Sequence, residues 1–277
     1  ESTPIYDIAL SFMASSDDPI SGGRHKVIGS KKLNVPPQTS TIASHLPKAV
    51  GTAFSIDRAK DLDISERKLK AESIVLCSFG DASANHATAL SAFNTASWVS
   101  NSGGHVPIIF ICEDNGTGIS VPTNEHWIEQ NFSNRLGLQY VKTDGLHLID
   151  LMIKSRQVEH DCRINRSPIF LHMKTVRLMG HAGSDVEVGY LPLAEIEATE
   201  FNDPLLHSSR ILIENNCLSS EEIVRLYESI RQQVNHVFDA TTLRPKLESA
   251  EDVIESIIAN QSSRKIPKQP SAKVRKD

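Results

Sequence analysis

Two apolar runs, 73–79 and 106–112, close on polar turns, and between them Ala89, Leu90, Phe93 and Ala96 recur at helical spacing. Short apolar runs bounded in this way read as strands buried on both faces, and strand–helix–strand is the unit from which parallel sheets are wound. The expected fold class is therefore α/β, a mostly parallel sheet with helices on both faces. Gly80-Asp81-Ala82-Ser83 follows the first run, and Glu113-Asp114-Asn115-Gly116-Thr117 follows the second. Asp81 and Asn115 then stand at the carboxyl ends of neighbouring strands, beside a helix amino terminus, where open α/β sheets bind ligands. Asp81 offers a hard carboxylate oxygen to a divalent metal and Asn115 an amide oxygen, while the free N–H groups of the helix start attract phosphate. Alone, Asp81 could merely cap the helix at Ser83 or Asn85; paired with Asn115 it points to a magnesium–diphosphate site.

Composition narrows the classes of function. The 277 residues carry a formal net charge of −5 and a pI near 6.1, so no global field draws the chain to nucleic acid or anionic membrane. Aromatic residues, at 5%, are too sparse for a base-stacking platform. Cys77, Cys112, Cys162 and Cys217 are scattered, the first two inside expected buried strands, which reads as reduced thiols rather than disulfides. No apolar run approaches the ~20 residues that span a bilayer. The length suits one large or two small domains with a sizeable core. The chain begins at Glu1 rather than Met, so a targeting segment could have been removed.

Along the chain, 1–14 reads as a short helix and 15–40 as a long polar loop punctuated by Pro19, Gly22, Gly23, Pro36 and Pro37. A helical pattern covers 42–60. A short strand at 138–141, a helix at 147–160 and a strand at 169–176 follow, the last ending just before His181. Ser219-Ser220-Glu221-Glu222 has the serine-then-acid pattern of a helix start and leads into 223–238. Beyond Ala240 the periodicity decays, and 265–277, with Pro267, Pro270 and several basic residues, reads as a linker or tail. The expected organisation is an N-terminal helix and cofactor-side loop over 1–40, an α/β domain over 41–240, and a C-terminal helix with a basic tail over 241–277. His45, His86, His105, His126 and His147 lack the spacing of zinc ligands.

Gly80-Asp81-Ala82, followed after a helix and a strand by Asp114-Asn115, resembles the thiamine diphosphate motif, Gly-Asp-Gly and then Asn-Asn. Four further segments extend the likeness in order. Ser21-Gly22-Gly23-Arg24 resembles a glycine-rich basic stretch ahead of the cofactor pocket. The segment 38–51, with Ser40-Thr41-Ile42, resembles a serine-rich loop and its helix. Arg177-Leu178-Met179-Gly180-His181 resembles an Arg-x-x-Gly-His loop, and Asp203-Pro204 the Asp-Pro that follows it. This ordered set, over about 21–238, resembles the alpha subunit of the first, decarboxylating component of 2-oxo acid dehydrogenases of the branched-chain and pyruvate type. The likeness implies the thiamine-diphosphate-binding α/β fold. Ala82 departs from the motif's third glycine, Asp114 from its first asparagine, and His86 from a Glu or Gln near the diphosphate. The stretch from Asp81 to Asn115 is longer than usual, with Asn101-Ser102-Gly103-Gly104 resembling an inserted loop.

The resemblance implies that Asp81, Asn115 and the backbone carbonyl of Thr117 hold Mg2+, and that Gly80, Asp81, Ala82, Ser83, His86, Asn115, Arg177 and His181 surround thiamine diphosphate. His181 is the expected catalytic contact, donating to the diphosphate or stabilising charge as the acyl group leaves, against the plainer reading of a surface-loop histidine. Arg177 suits phosphate oxygens or, equally, a salt bridge. Ser40 and Ile42 match the loop that supports the bend of the cofactor; a helix cap followed by a core residue reads as well for both. His25 lies out of register and is not expected to be catalytic. Ala182 stands where relatives carry a phosphorylatable serine, so control through that serine is not expected.

The activity implied is oxidative decarboxylation of a branched-chain 2-oxo acid or pyruvate, with the acyl group passing to a lipoyl group on the acyltransferase component. A beta-type subunit, or a fused beta-type domain, would supply the proton-relay glutamate, so the chain is expected to be inactive alone. The upstream Tyr-Arg segment of relatives is missing, which fits a central fragment of a larger polypeptide or a native short subunit. An acetoin-cleaving or transketolase-like enzyme would share the same site. The altered Ala82, His86 and Asp114 also leave open a degenerate, non-catalytic interaction subunit. No nucleic acid or membrane partner is expected, and the compartment implied is the cytoplasm, or the mitochondrial matrix in a eukaryote.

Overall fold

In chain order the computed structural model, which describes residues 4–38 and 40–258, builds α1 (Pro4–Phe12), α2 (His45–Asp61), β1 (Val75–Gly80) and α3 (Ala87–Asn101). There follow β2 (Ile108–Asp114), the two-residue strands β3 (Thr117–Gly118) and β4 (Val121–Pro122), α4 (Trp127–Phe132), β5 (Gln139–Asp144), α5 (Leu148–Asn165) and β6 (Ile169–Lys174). The last elements are α6 (Leu193–Glu200), α7 (Pro204–Glu214), α8 (Ser220–Thr242) and α9 (Ala250–Ile254). The expected basic tail, 265–277, lies outside the described residues.

The two apolar runs become β1 and β2, paired in parallel with Val75 opposite Ile108 and Gly80 opposite Glu113. β6 inserts between β2 and β5, so the sheet order is β1-β2-β6-β5 and every pair is parallel. Parallel strands need both faces covered. On one face α2 contributes Leu46, Val50 and Ala53, and α3 contributes Ala89, Ala92, Phe93 and Ala96. The alanines let the helices approach closely enough for the phenylalanines of the sheet to interlock with them. Phe93 meets Phe110 edge-on at 5.0 Å and Phe132 stacks on Phe170 at 4.2 Å, contacts worth about 0.5–1.5 kcal/mol each beyond the area they bury. On the other face Ile109, Ile169 and Leu171 pack against Val158 and Cys162 of α5.

Arg166 ends α5 in the left-handed region, at φ +53°, and from there ties three elements together. Its Nε donates to Asp57 of α2 at 2.9 Å and its Nη1 to the Ser73 carbonyl at 3.0 Å, just ahead of β1. All four cysteines are free. Burial pushes the Cys77 and Cys162 thiols up to about 12, which keeps them protonated and inert.

The elements depart from the sequence pattern in informative places. The helix between the two runs does not begin at Ser83 or Asn85: the chain first makes a 3-10 turn, Ala82–Asn85, and α3 starts after it with His86 as its cap. His86 Nδ1 accepts the Thr88 N–H at 3.2 Å, and His147 caps α5 in the same way through the Asp150 N–H. Asn101, read as part of an inserted loop, is the last residue of α3. Neither the β3–β4 hairpin nor α4, α6 and α7 carried a periodic signal long enough to read.

The described residues divide into two compact units, one of 40–228, which holds the sheet, and one joining 4–38 to 229–258. In the second unit Phe12 of α1 meets Phe238 of α8 edge-on at 6.1 Å. Its long loop is ordered by specific bonds: Ser15 Oγ donates to the Pro245 carbonyl at 3.0 Å, and Arg24 donates to the Asp252 and Val253 carbonyls at 2.7 and 3.1 Å. Arg24, the basic residue of the glycine-rich stretch, is thus committed to the backbone at α9.

Candidate functional site

The carboxyl ends of β1 and β2 create the site. Asp81 directly follows β1 and is only 3% exposed, with the Thr123 hydroxyl donating to its Oδ2. Burial is the main force pushing the Asp81 carboxyl above the usual range; the Asp114 carboxylate adds to it and the Thr123 bond opposes it. At the end of β2 two side-chain turns follow one another. Asp114 Oδ1 accepts the Gly116 N–H at 3.1 Å and Asn115 Oδ1 accepts the Thr117 N–H at 3.0 Å. The β3–β4 hairpin then returns the chain, Thr117 pairing with Pro122 and Gly118 with Val121, and the Thr123 N–H closes on the Gly116 carbonyl at 2.9 Å. Thr123 reaches Asp81 because of that hairpin.

Arg177, just beyond β6, holds the tip of the hairpin. Its Nη1 donates to the Ile119 carbonyl at 2.6 Å and its Nη2 to the Tyr190 hydroxyl at 3.1 Å, with Asp185 and Glu187 at 4.0 and 3.8 Å. Ile119 sits at φ +60°, a costly conformation for a β-branched residue. Asp185 also accepts the His181 backbone N–H at 2.6 Å, a bond that leads in holding its carboxyl below the usual value.

Asn115, Thr117 and Arg177 line one cleft of about 190 Å³, together with Ser120, Pro122 and Tyr190. Asp81 lines the neighbouring cleft with Asn85, Thr123, Asn124 and Trp127, and Pro122 borders both. Gly80, Ala82 and Ser83 are half-buried around Asp81. The remaining expected residues stand apart from both linings: His86 is exposed and engaged as a helix cap, His181 is exposed on its loop, and Ser40 and Ile42 are exposed ahead of α2. Among the described residues no group of three or more His, Cys, Asp or Glu could hold a metal ion. A cation here would rest on one carboxylate with amide and carbonyl oxygens.

Sequence reasoning missed Thr123, Tyr140, His172 and Lys174. His172 is fully buried in β6 and its Nε2 lies 2.7 Å from Asp114 Oδ2, with Lys174 Nζ 3.1 Å from the same oxygen. Burial pushes Asp114 up, but the bonds from His172 and Lys174 outweigh it and hold the carboxyl below its usual value. The signal available was His172 directly after the apolar Ile169-Phe170-Leu171 in the strand expected at 169–176.

The sequence model for the family described as "Dehydrogenase E1 component" matches residues 1–250. The chain belongs to that family. In this family the parallel sheet flanked by helices is the thiamine-diphosphate-binding fold, as expected from the sequence. Among similar proteins, the mitochondrial 2-oxoisovalerate dehydrogenase subunit alpha of Caenorhabditis elegans is 27% identical over 222 residues, 79% of this chain and 48% of the relative. The 2-oxoisovalerate dehydrogenase subunit alpha of Bacillus subtilis is 27% identical over 244 residues, 86% of this chain and 69% of the relative. The mitochondrial pyruvate dehydrogenase E1 component subunit alpha of Dictyostelium discoideum is 25% identical over 210 residues, 74% and 51% respectively. This E1-family chain thus spans about half the length of most of these relatives. Among its described residues no helix is long and apolar enough to cross a membrane.

Proposed function

We propose that this chain is the diphosphate-holding alpha half of a thiamine-diphosphate-dependent 2-oxo acid dehydrogenase, acting on a branched-chain 2-oxo acid or pyruvate. What carries this is the placement of Asp81 and of the Asn115–Thr117 turn directly after two adjacent parallel strands, in a chain of the dehydrogenase E1 component family. Relatives named for 2-oxoisovalerate and for pyruvate support the substrate class.

The residues at the two strand ends suit a metal-bound diphosphate. Asp81 is buried with a neutral hydroxyl as its side-chain partner and a second carboxylate acting against its ionised form. A divalent cation would relieve that arrangement, and a carboxylate with amide and carbonyl oxygens is a donor set that Mg2+ accepts. Asp81, Asn115 and the Thr117 carbonyl would hold the ion; the Asn115 amide oxygen keeps a second lone pair beside the one taken by the Thr117 N–H. Gly80, Ala82 and Ser83 would let the backbone approach the diphosphate, and Arg177 would face it from the cleft it lines; His86 is assigned to the diphosphate from its exposed place at the cap of α3. Ser40 and Ile42 are assigned to supporting the bend of the cofactor, and His181 to the catalytic contact that bears charge as the acyl group leaves.

When bound, thiamine diphosphate supplies the carbanion chemistry that decarboxylation of a 2-oxo acid requires. The residues of this chain anchor and orient its diphosphate end. A beta-type partner would supply the proton-relay glutamate, and the acyl group would leave to the lipoyl group of an acyltransferase component, so the chain alone turns nothing over.

The test uses the full polypeptide assembled with its beta-type partner. Reduction of an artificial electron acceptor is followed with a panel of 2-oxo acids, thiamine diphosphate and Mg2+. Activity that depends on all three and vanishes in Asp81→Ala is the expected result. Silence from an intact assembly would overturn the dehydrogenase assignment, as would activity from the isolated chain for the two-subunit arrangement.

A further inference from the structure

Three neighbouring strands each place one polar side chain in a line at the rim of the aromatic core. Tyr140 of β5 has its hydroxyl 2.6 Å from His172 Nδ1, and His172 Nε2 lies 2.7 Å from Asp114 Oδ2 at the end of β2. The His172 and Asp114 side chains are 1% and 4% exposed. An ionised carboxylate only accepts, so Nε2 carries the imidazole proton, Nδ1 accepts, and the Tyr140 hydroxyl donates. Lys174 Nζ, at 3.1 Å, supplies the opposite charge. Below this line Tyr140 lies over Phe170 at 6.1 Å, which fixes the ring that starts it.

A buried carboxylate is costly unless its lone pairs are met, and apolar packing would serve stability as well. The arrangement does something apolar packing cannot. While Oδ2 of Asp114 is held by His172 and Lys174, its Oδ1 takes the Gly116 N–H, and its carbonyl takes the Thr175 N–H at 2.8 Å. Asp114 is thereby fixed from three directions, and the next residue is Asn115. The Asp114 carboxylate thus anchors the first of the two turns, and the Asn115 amide oxygen and the Thr117 carbonyl follow directly after it.

We propose that Tyr140, His172 and Asp114 form a positioning relay that sets the geometry of the Asn115–Thr117 turn for binding a divalent cation. The proposal rests on the reading of that turn as part of a metal–diphosphate site. None of the three touches the ion; each acts through the next.

The complex of the full chain with its beta-type partner is titrated with Mn2+ in the presence of thiamine diphosphate, free Mn2+ being read from its paramagnetic resonance signal. Unfolding temperature is recorded on the same samples. Both Tyr140→Phe, which removes a hydroxyl alone, and His172→Leu should weaken Mn2+ binding, by about 10-fold for the histidine, the scale set by partners of metal ligands elsewhere. Cys162→Ala, in the core on the opposite face of the sheet, should lower the unfolding temperature and leave Mn2+ affinity unchanged. Affinities within about twofold of the unmodified complex in both relay variants, well below that scale, overturn the relay. An equal loss of affinity in Cys162→Ala does the same, because it would assign the effect to general destabilisation. Asp81→Ala separates the two levels. Uptake that survives Asp81→Ala overturns the site assignment and the relay with it; uptake lost in Asp81→Ala but untouched by Tyr140→Phe and His172→Leu overturns the relay alone.

Discussion

A Cβ placed on Gly118 would lie 2.9 Å from the Cβ of Ala82. Gly118 is not in the left-handed region, so it is there for space rather than for backbone freedom. Ala82, which replaces the last glycine of the thiamine motif, occupies that space and packs the start of the 3-10 turn against β3.

Gly118→Ala should therefore strain the hairpin against Ala82, at a cost of about 1–3 kcal/mol in denaturant unfolding. Adding Ala82→Gly to the same chain should recover most of the loss, because each variant alone disturbs one side of a single contact. Strictly additive effects in the double-mutant cycle would show that the two residues are not a packing pair.

Arg177 should act on the hairpin through the strained residue at its tip. Ile119 at φ +60° costs roughly 1–3 kcal/mol, and the Arg177 bond to its carbonyl is what holds it. In Arg177→Ala, amide hydrogen exchange over 117–120 should quicken. Ile119→Gly in that background should regain about 1 kcal/mol, since glycine adopts positive φ without strain. Exchange unchanged by Arg177→Ala would remove Arg177 as the support of the turn.

His172 should make stability depend on pH just below neutrality. Burial, the largest cause, holds its imidazole below the ordinary value of about 6.5, against the opposing pull of Asp114. The unfolded chain binds a proton below that pH which the folded chain refuses, so stability rises with pH through this window. Its contribution is complete above about 6.5 and is lost as pH falls toward the folded value. The fall in denaturant midpoint on acidification should be steeper in the unmodified protein than in His172→Leu. Parallel curves for the two would assign the acid sensitivity to other groups. Asp114, also held below its usual value, gives the same sign in the lower window beneath the ordinary carboxylate pKa.

How far the sequence could be read depended on the range of each interaction. β1, β2, α3 and β6 were legible because their signals are local: apolar runs of strand length and a helical repeat, each closed by turn residues. The start of α3 was not, because a histidine nitrogen serves as its cap where serine, aspartate or asparagine is the usual signal. Arg177 was readable as a cation near the site, but its engagement with the Ile119 carbonyl and Tyr190 depends on a loop and a hairpin with no pattern of their own. Ser40, Ile42, His86 and His181 were assigned by likeness alone, and their side chains do not converge on the two clefts within the described chain.

The sequence by itself determined that Asp81 and Asn115 follow strands of one parallel sheet, since burial on both faces writes itself into consecutive apolar residues and the turn after each strand is local chemistry. Only the tertiary structure decided that β6 lies between β2 and β5, that the β3–β4 hairpin brings Thr123 onto Asp81, that His172 and Lys174 meet on Asp114, and that Tyr140 reaches His172. Tyr140 lies on β5 and His172 and Lys174 on β6, and a buried polar group such as Asp114 finds its donors across the sheet rather than along the chain.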